Sequence, residues 1–190
     1  MTYRVLFVLL SLAFTQAVSA RSMDINLSND AAQFKYGTLV GGTTYGRSEL
    51  TYGLLFNEDD VYLFEVGLLV IDQAGSKSPG LELGIGPKFY FADTDKSDGD
   101  AAALGLGGQI RYKNMAAPRI VYNAEGYYAP SIVSFLDADS MFEFNLRLEY
   151  EILPTANIYL GYRDIEVEIE NSDKNVELDE NVVLGVRFKF

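Results

Sequence analysis

The sequence predicts an all-β fold, a transmembrane antiparallel up-and-down β-barrel of about ten strands. Three observations predict it: a short apolar leader closed by small residues, a period-two pattern through most of the chain, and a final alternating run that ends on phenylalanine.

In the leader, Arg4 precedes an apolar run from Val5 to Phe14, and Val18-Ser19-Ala20 puts small residues where a signal peptidase cuts. A run of about ten residues is too short to cross a bilayer as a helix. Residues 1–20 are therefore expected to be a Sec-type signal peptide, and residues 21–190 a single barrel domain. No later stretch reaches about eighteen uninterrupted apolar residues, so helical spans are excluded. With 15 basic against 27 acidic residues the formal net charge is −12, which argues against a nucleic-acid partner. There is no cysteine, so an exported chain of this kind relies on its fold and not on disulfides.

From Tyr45 onward the apolar residues recur at every second position. Leu50, Tyr52, Leu54 and Phe56 alternate with Glu49, Thr51 and Gly53; Tyr62, Phe64, Val66, Leu68 and Val70 with Glu65 and Gly67; Leu81, Leu83, Ile85, Pro87, Phe89 and Phe91 with Glu82, Gly84, Gly86 and Lys88. Leu104, Leu106, Ile110 and Tyr112 oppose Gly105, Gly107, Gln109 and Arg111, and Ile120, Tyr122, Ala124 and Tyr128 oppose Arg119, Asn123 and Glu125. The clearest strand sets Phe142, Phe144, Leu146, Leu148, Tyr150 and Ile152 against Glu143, Asn145, Arg147, Glu149 and Glu151. Ile158, Leu160 and Tyr162 then alternate with Gly161 and Arg163, and Val182, Leu184, Val186, Phe188 and Phe190 with Gly185, Arg187 and Lys189. These are eight strands. Met23 to Ser28 and Ala32 to Val40 supply two more and bring both termini to the same side; the first is short, so eight strands with an associated N-terminal segment is the alternative.

Alternation alone does not say which face is inside, because a soluble lipocalin-like barrel alternates too. Two features turn the apolar face outward. Glycines crowd the polar face, as a narrow lumen requires, and aromatics stand near strand ends on the apolar face, where membrane barrels carry interfacial girdles. Counting back from Phe190 as periplasmic, the external segments are Asn57 to Asp60, Asp93 to Asp100, Pro130 to Asp139 and Asp164 to Glu180. They hold 17 of the 27 acidic residues, and the periplasmic segments hold none, which supports the orientation. Ile165 to Glu170 alternates strictly with its parity inverted relative to Ile158, Leu160 and Tyr162; a bulge, or a hairpin extending past the membrane, accounts for it.

The inward charges are the candidate functional residues: Glu49, Glu65, Glu82, Lys88, Arg111, Arg119, Glu125, Glu143, Arg147, Glu149, Glu151 and Arg163. Their mixed signs fit either a lining for a small solute or a salt-bridged plug, since buried charges must be paired and a barrel of this size fills with side chains. A narrow porin-like pore or solute-binding barrel is one reading, and a structural or surface-interaction barrel with a plugged lumen is the other. The chain has no histidine and no cysteine, which removes the usual neutral-pH general base and any zinc or copper site; neither catalytic, cofactor nor metal residues are assigned, and no enzyme activity is expected. Asp93-Thr94-Asp95-Lys96-Ser97-Asp98-Gly99-Asp100 superficially looks like a calcium loop, but Asp98 and Leu104 stand where an EF-hand needs Gly and Glu. It is expected to be a solvated acidic loop, with loose divalent-cation bridging to lipopolysaccharide phosphates as the alternative.

The closing residues Leu184-Gly185-Val186-Arg187-Phe188-Lys189-Phe190 resemble the last strand of bacterial outer-membrane proteins. That resemblance implies that Val186, Phe188 and Phe190 act as an assembly signal read by the barrel-assembly machinery. Asn26-Leu27-Ser28-Asn29-Asp30-Ala31, Tyr127-Tyr128-Ala129-Pro130-Ser131 with Phe135 to Asp139, and Tyr159-Leu160-Gly161-Tyr162-Arg163 resemble the YfaZ family. The resemblance implies a small monomeric barrel in a Gram-negative outer membrane, contacting its lipids and lipopolysaccharide, without a known activity to carry over.

Overall fold

A computed structural model describes residues 21–43, 46–58, 61–75, 78–94, 100–169 and 175–190. Tyr45, the leader and most of the acidic segment between Asp93 and Asp100 lie outside the described residues. The strands are β1 (Arg21–Leu27), β2 (Ala31–Thr43), β3 (Gly46–Asn57), β4 (Val61–Gln73), β5 (Leu81–Thr94), β6 (Ala101–Lys113), β7 (Ile120–Ala129), β8 (Ser134–Leu136), β9 (Ala138–Leu153), β10 (Ala156–Ile169) and β11 (Asn175–Lys189). All pairings are antiparallel and, apart from the β1–β11 closure, between chain neighbours, except that the three-residue β8 lies on the loop end of β6 and lets β7 pair directly with β9. The barrel proper therefore has ten strands, closed where β1 pairs with β11 from Ser22↔Lys189 to Leu27↔Leu184. Reciprocal backbone hydrogen bonds between Arg21 and Phe190, at 2.7 and 2.9 Å, finish the seam. The short first strand is thus a full member of the barrel, which excludes the eight-strand alternative.

Outward positions carry large exposed apolar side chains, and the inward face holds buried charged residues such as Glu65, Lys88, Glu143, Arg147 and Arg163 beside buried apolar ones, unlike a soluble barrel, whose outer face is polar. Aromatics gather at both ends of the outer surface. Phe34 and Phe56 stack with centroids 6.2 Å apart toward the loops, and Tyr112 and Tyr122 stack at 6.3 Å toward the termini. This is the arrangement of a wall that meets hydrocarbon between two interfaces.

The longest strands, β9 with 16 residues and β11 with 15, exceed what about 9–11 residues of tilted strand need to cross the hydrocarbon. The segment Asp164 to Glu180, expected as a loop, is instead largely strand: β10 and β11 continue pairing out to Glu168↔Asn175. β10 keeps one parity throughout, so no bulge in β10 explains the inverted alternation. Ile165, Val167 and Ile169 point inward because Glu166 and Glu168 point outward, and outward acids belong in water, not lipid. The irregularity falls on β11, where the register jumps from Ile165↔Asp179 to Glu166↔Glu177 and skips Leu178. That places Leu178 and Asp179, neighbours in sequence, both in the buried interior.

One glycine has a backbone reason for its place. The β4–β5 ladder lacks partners between Gly67↔Lys88 and Val70↔Ile85, opposite Pro87, which has no N–H to give. There the chains approach so closely that a Cβ on Gly86 would stand 1.8 Å from the Leu68 carbonyl oxygen. Gly86→Ala is expected to destabilise the barrel by about 1–3 kcal/mol, as overpacking does. Gly42→Ala, where a Cβ meets nothing within 4 Å, is expected to change stability by less than about 0.5 kcal/mol. Urea unfolding of the refolded barrel in lipid vesicles measures both, and equal losses would contradict a close approach at Gly86.

Candidate functional site: the barrel lumen

The lumen is layered along the barrel axis. At the loop end it is an apolar core: Leu55, Val61, Leu63, Tyr90, Met141 and Ile165 pack with Val167, Ile169, Leu178 and several alanines, and Val133 of the 3₁₀ turn Ser131–Val133 packs against them. This is what the inverted alternation of β10 builds, together with the loop ends of β3, β4, β5 and β9.

Below it lies a polar layer around Arg163, which is fully buried. Its Nε donates to Asp179 Oδ2 at 2.5 Å, and its Nη1 donates to Asn26 Oδ1 and, at 2.8 Å, to Gln33 Oε1. Gln33 in turn donates to Glu65 at 3.3 Å. A guanidinium suits this site because its fork of donors reaches several acceptors at once.

The next layer centres on Lys88 Nζ, 2.8 Å from Glu125, 2.9 Å from Glu143 and 3.9 Å from Glu65. Lys35 joins it, 2.9 Å from Glu65 and 3.6 Å from Glu143. Tyr90 donates to Glu143 at 2.5 Å, Asn145 donates to the other oxygen at 2.8 Å, and the centre of the Tyr127 ring lies 4.2 Å from the ammonium. Two lysines thus face three carboxylates inside the wall, the condition under which buried charge is tolerated.

Nearer the termini, Asp24 of β1 accepts from Arg187 at 2.9 Å, Arg147 at 3.2 Å and the Tyr159 hydroxyl at 2.5 Å. Arg187 also reaches Glu149 at 3.1 Å, and Arg111 approaches the other Glu149 oxygen at 3.6 Å. Tyr159 lies over Gly185, where a Cβ would stand 2.2 Å from the ring, so the glycine is what lets the tyrosine reach Asp24. At the rim Arg47 grips Glu82 through two bonds of 2.8 and 3.1 Å, and Lys113 stands 3.5 Å from Glu151.

Eleven of the twelve candidate lumen residues stand on the inward parity, and all but Glu49 fall within these layers: Glu65, Glu82, Lys88, Arg111, Glu125, Glu143, Arg147, Glu149, Glu151 and Arg163. Arg119 does not. β7 starts at Ile120, so Arg119 belongs to the preceding turn, is exposed, and offers its carbonyl, which accepts from the Glu151 N–H at 2.8 Å. Sequence reasoning missed Asp24, Lys35, Arg47, Asp179 and Arg187, which tie the layers together. Parity held the signal for Asp24, set among Met23, Ile25 and Leu27, and for Arg187, set between Val186 and Phe188. Val186 and Phe188 share the outward face of β11, while Phe190 follows the end of the strand, exposed, and borders the mouth of the lumen cavity.

Between the charged layers and the terminal rim the lumen opens into a cavity of about 410 Å³. Eight basic and three acidic side chains lie on its wall. Among the described residues, no group of three or more His, Cys, Asp and Glu is placed to hold a metal ion.

Solved structures to which the fold is similar include a KdgM porin in complex with disordered oligogalacturonate, 11% identical with a TM-score of 0.44 over 90% of this chain and 99% of that one. A bacterial polysaccharide outer membrane secretin is 10% identical with a TM-score of 0.46, over 90% of this chain and 64% of that one. The translocator domain of autotransporter NalP from Neisseria meningitidis is 10% identical with a TM-score of 0.34, over 100% of this chain and 95% of that one. No curated protein matches the sequence. The profile of the family described as YfaZ precursor matches residues 2–190, and the chain belongs to that family.

Proposed function

We propose that this is an integral outer-membrane protein, exported by its leader, with termini in the periplasm and the acidic strand extensions at the cell surface. On this reading its lumen is a blind compartment open to the periplasm, and the barrel binds a solute without conducting it. The observation that carries the reading is the apolar core packed inside the loop end, with the buried Arg163 layer beneath it, above a cavity that reaches the terminal rim. A barrel near this size fills with side chains, and water-filled channels need about sixteen strands. The narrow-pore alternative requires a path past the apolar core and the Arg163 layer. The acidic outer hairpin of β10 and β11 fits a surface facing cations and lipopolysaccharide in either case.

Planar-bilayer recording of the refolded protein tests the reading, with folding verified by heat-modifiable gel mobility. Silent insertion at ordinary holding potentials is expected. Reproducible conductance steps from verified barrels would overturn the blind lumen in favour of a narrow pore.

A further inference from the structure

We propose that the terminal-end cavity is an oxyanion site, taking a small solute that carries carboxylate or phosphate groups. The proposal rests on the reading of the lumen as a blind, periplasm-facing compartment.

The charge of a fitting solute is decided by which side chains face the open space. Four of the lumen's carboxylates are sequestered: the side chains of Glu143 and Glu149 are 0% exposed, and those of Glu65 and Asp24 are 5% exposed. Their cation partners Lys88 and Arg147 are buried too, but Arg111 is 20% exposed, Arg187 17% and Lys35 11%, and Arg47, the partner of Glu82, is 34% exposed, all on the cavity wall. Of the three acids on that wall, Asp24 already accepts from two arginines and a tyrosine, and Glu125 from Lys88. Glu49 remains, two residues along β3 from Arg47. The exposed charge on the wall is therefore mostly cationic, Arg47, Arg111, Arg187 and Lys35 against Glu49 and Glu125, and that excess sets the potential inside the cavity. Low-dielectric walls focus that potential further.

The donors are also unspent. Each guanidinium has five N–H groups, and among the described residues Arg111 uses its own on nothing closer than the 3.6 Å approach to Glu149. Arg187 stands on the opposite oxygen of that carboxylate, so the two guanidiniums are neighbours across Glu149. Planar forks side by side suit carboxylate and phosphate groups, which accept paired bonds. Gln109, Thr51 and Ser22 on the same wall add neutral polar groups for hydroxyls. At about 410 Å³ the cavity falls in the size range of small-molecule sites.

The test is calorimetric titration of the folded full-length mature barrel with pyrophosphate, with citrate and with an uncharged disaccharide, in neutral detergent at low salt. Pyrophosphate and citrate are expected to bind and the disaccharide not to, with affinity falling as salt rises. Arg111→Gln, which breaks only the long approach to Glu149, is expected to keep the fold by heat-modifiable mobility and to weaken pyrophosphate binding by tenfold or more. The control is Arg119→Gln on the exposed turn, which is expected to bind as the parent does. Repeating the titration in micelles doped with phosphatidylglycerol separates the sources. Unchanged affinity assigns a soluble solute, and competition assigns a lipid headgroup, both within the oxyanion chemistry. Failure of a verified, silent barrel to bind either anion, or equal binding by Arg111→Gln, would overturn the proposal while leaving the blind lumen intact. Conductance steps carried by these anions would instead remove the blind lumen.

Discussion

Lys88→Met is expected to destabilise the barrel by about 3–5 kcal/mol, the usual cost of removing one partner from a buried ionic cluster. Among the described residues, Lys88 Nζ is the single group within 4 Å of Glu65, Glu125 and Glu143 together. Methionine keeps an unbranched apolar stem of similar length, so the change isolates the charge. Without the ammonium, Lys35 is the cation left to Glu65 and Glu143 among the described residues, and the ion pair left to Glu125 is the 3.6 Å approach of Arg147. Part of the loss should return in Lys88→Met with Glu143→Gln, because that pair removes both signs and leaves fewer uncompensated carboxylates. Urea unfolding of the two variants in lipid vesicles, with the parent and Glu143→Gln to complete the cycle, reads the coupling. A loss below about 1 kcal/mol for Lys88→Met would mean that water screens the cluster as it screens surface pairs, and the lumen would then be wet at this level.

The same cluster shows how far sequence reasoning reaches in a barrel. Parity assigns Lys88, Glu125 and Glu143 to the interior because each alternates with outward apolar residues on its strand, Lys88 between Pro87 and Phe89 and Glu143 between Phe142 and Phe144. It says nothing of which strands face each other across the lumen, so the convergence of β5, β7 and β9 on one ammonium is not readable from spacing. The apolar core is a subtler case. Its clearest trace is the inverted alternation of Ile165, Val167 and Ile169, which reports that outside the bilayer the solvent changes and the inward face must become the dry one. The bulge at Leu178 leaves no such trace, because Leu178-Asp179 reads as ordinary alternation until the partner strand fixes its register. Arg119 misleads for a local reason: it follows Pro118 and continues the parity of β7 by one residue, but the strand has not yet begun.

Length is the weakest guide to β1, and its inward side chains supply the reason it holds. Its seven residues form six register pairs with β11 and seven with β2, a short ladder on each side. Asp24 compensates by joining β1 to β9, β10 and β11 at once, through Arg147, Tyr159 and Arg187. Asp24→Leu is therefore expected to cost about 3 kcal/mol, the low end for a broken buried pair, because Arg187 retains Glu149 and Arg147 retains Glu125. Its signature should be local as well as global. Backbone amides of β1 should exchange with deuterium faster than those of β4 and β5, since the seam between β1 and β11 opens before the rest of the wall. Asp24→Asn, which keeps an acceptor for Tyr159 and the arginines, should lose less and show little change at the seam. If Asp24→Leu weakened all strands alike, or left β1 protection untouched, the aspartate would be one member of a uniform charge network and not the residue that fastens the closing strand.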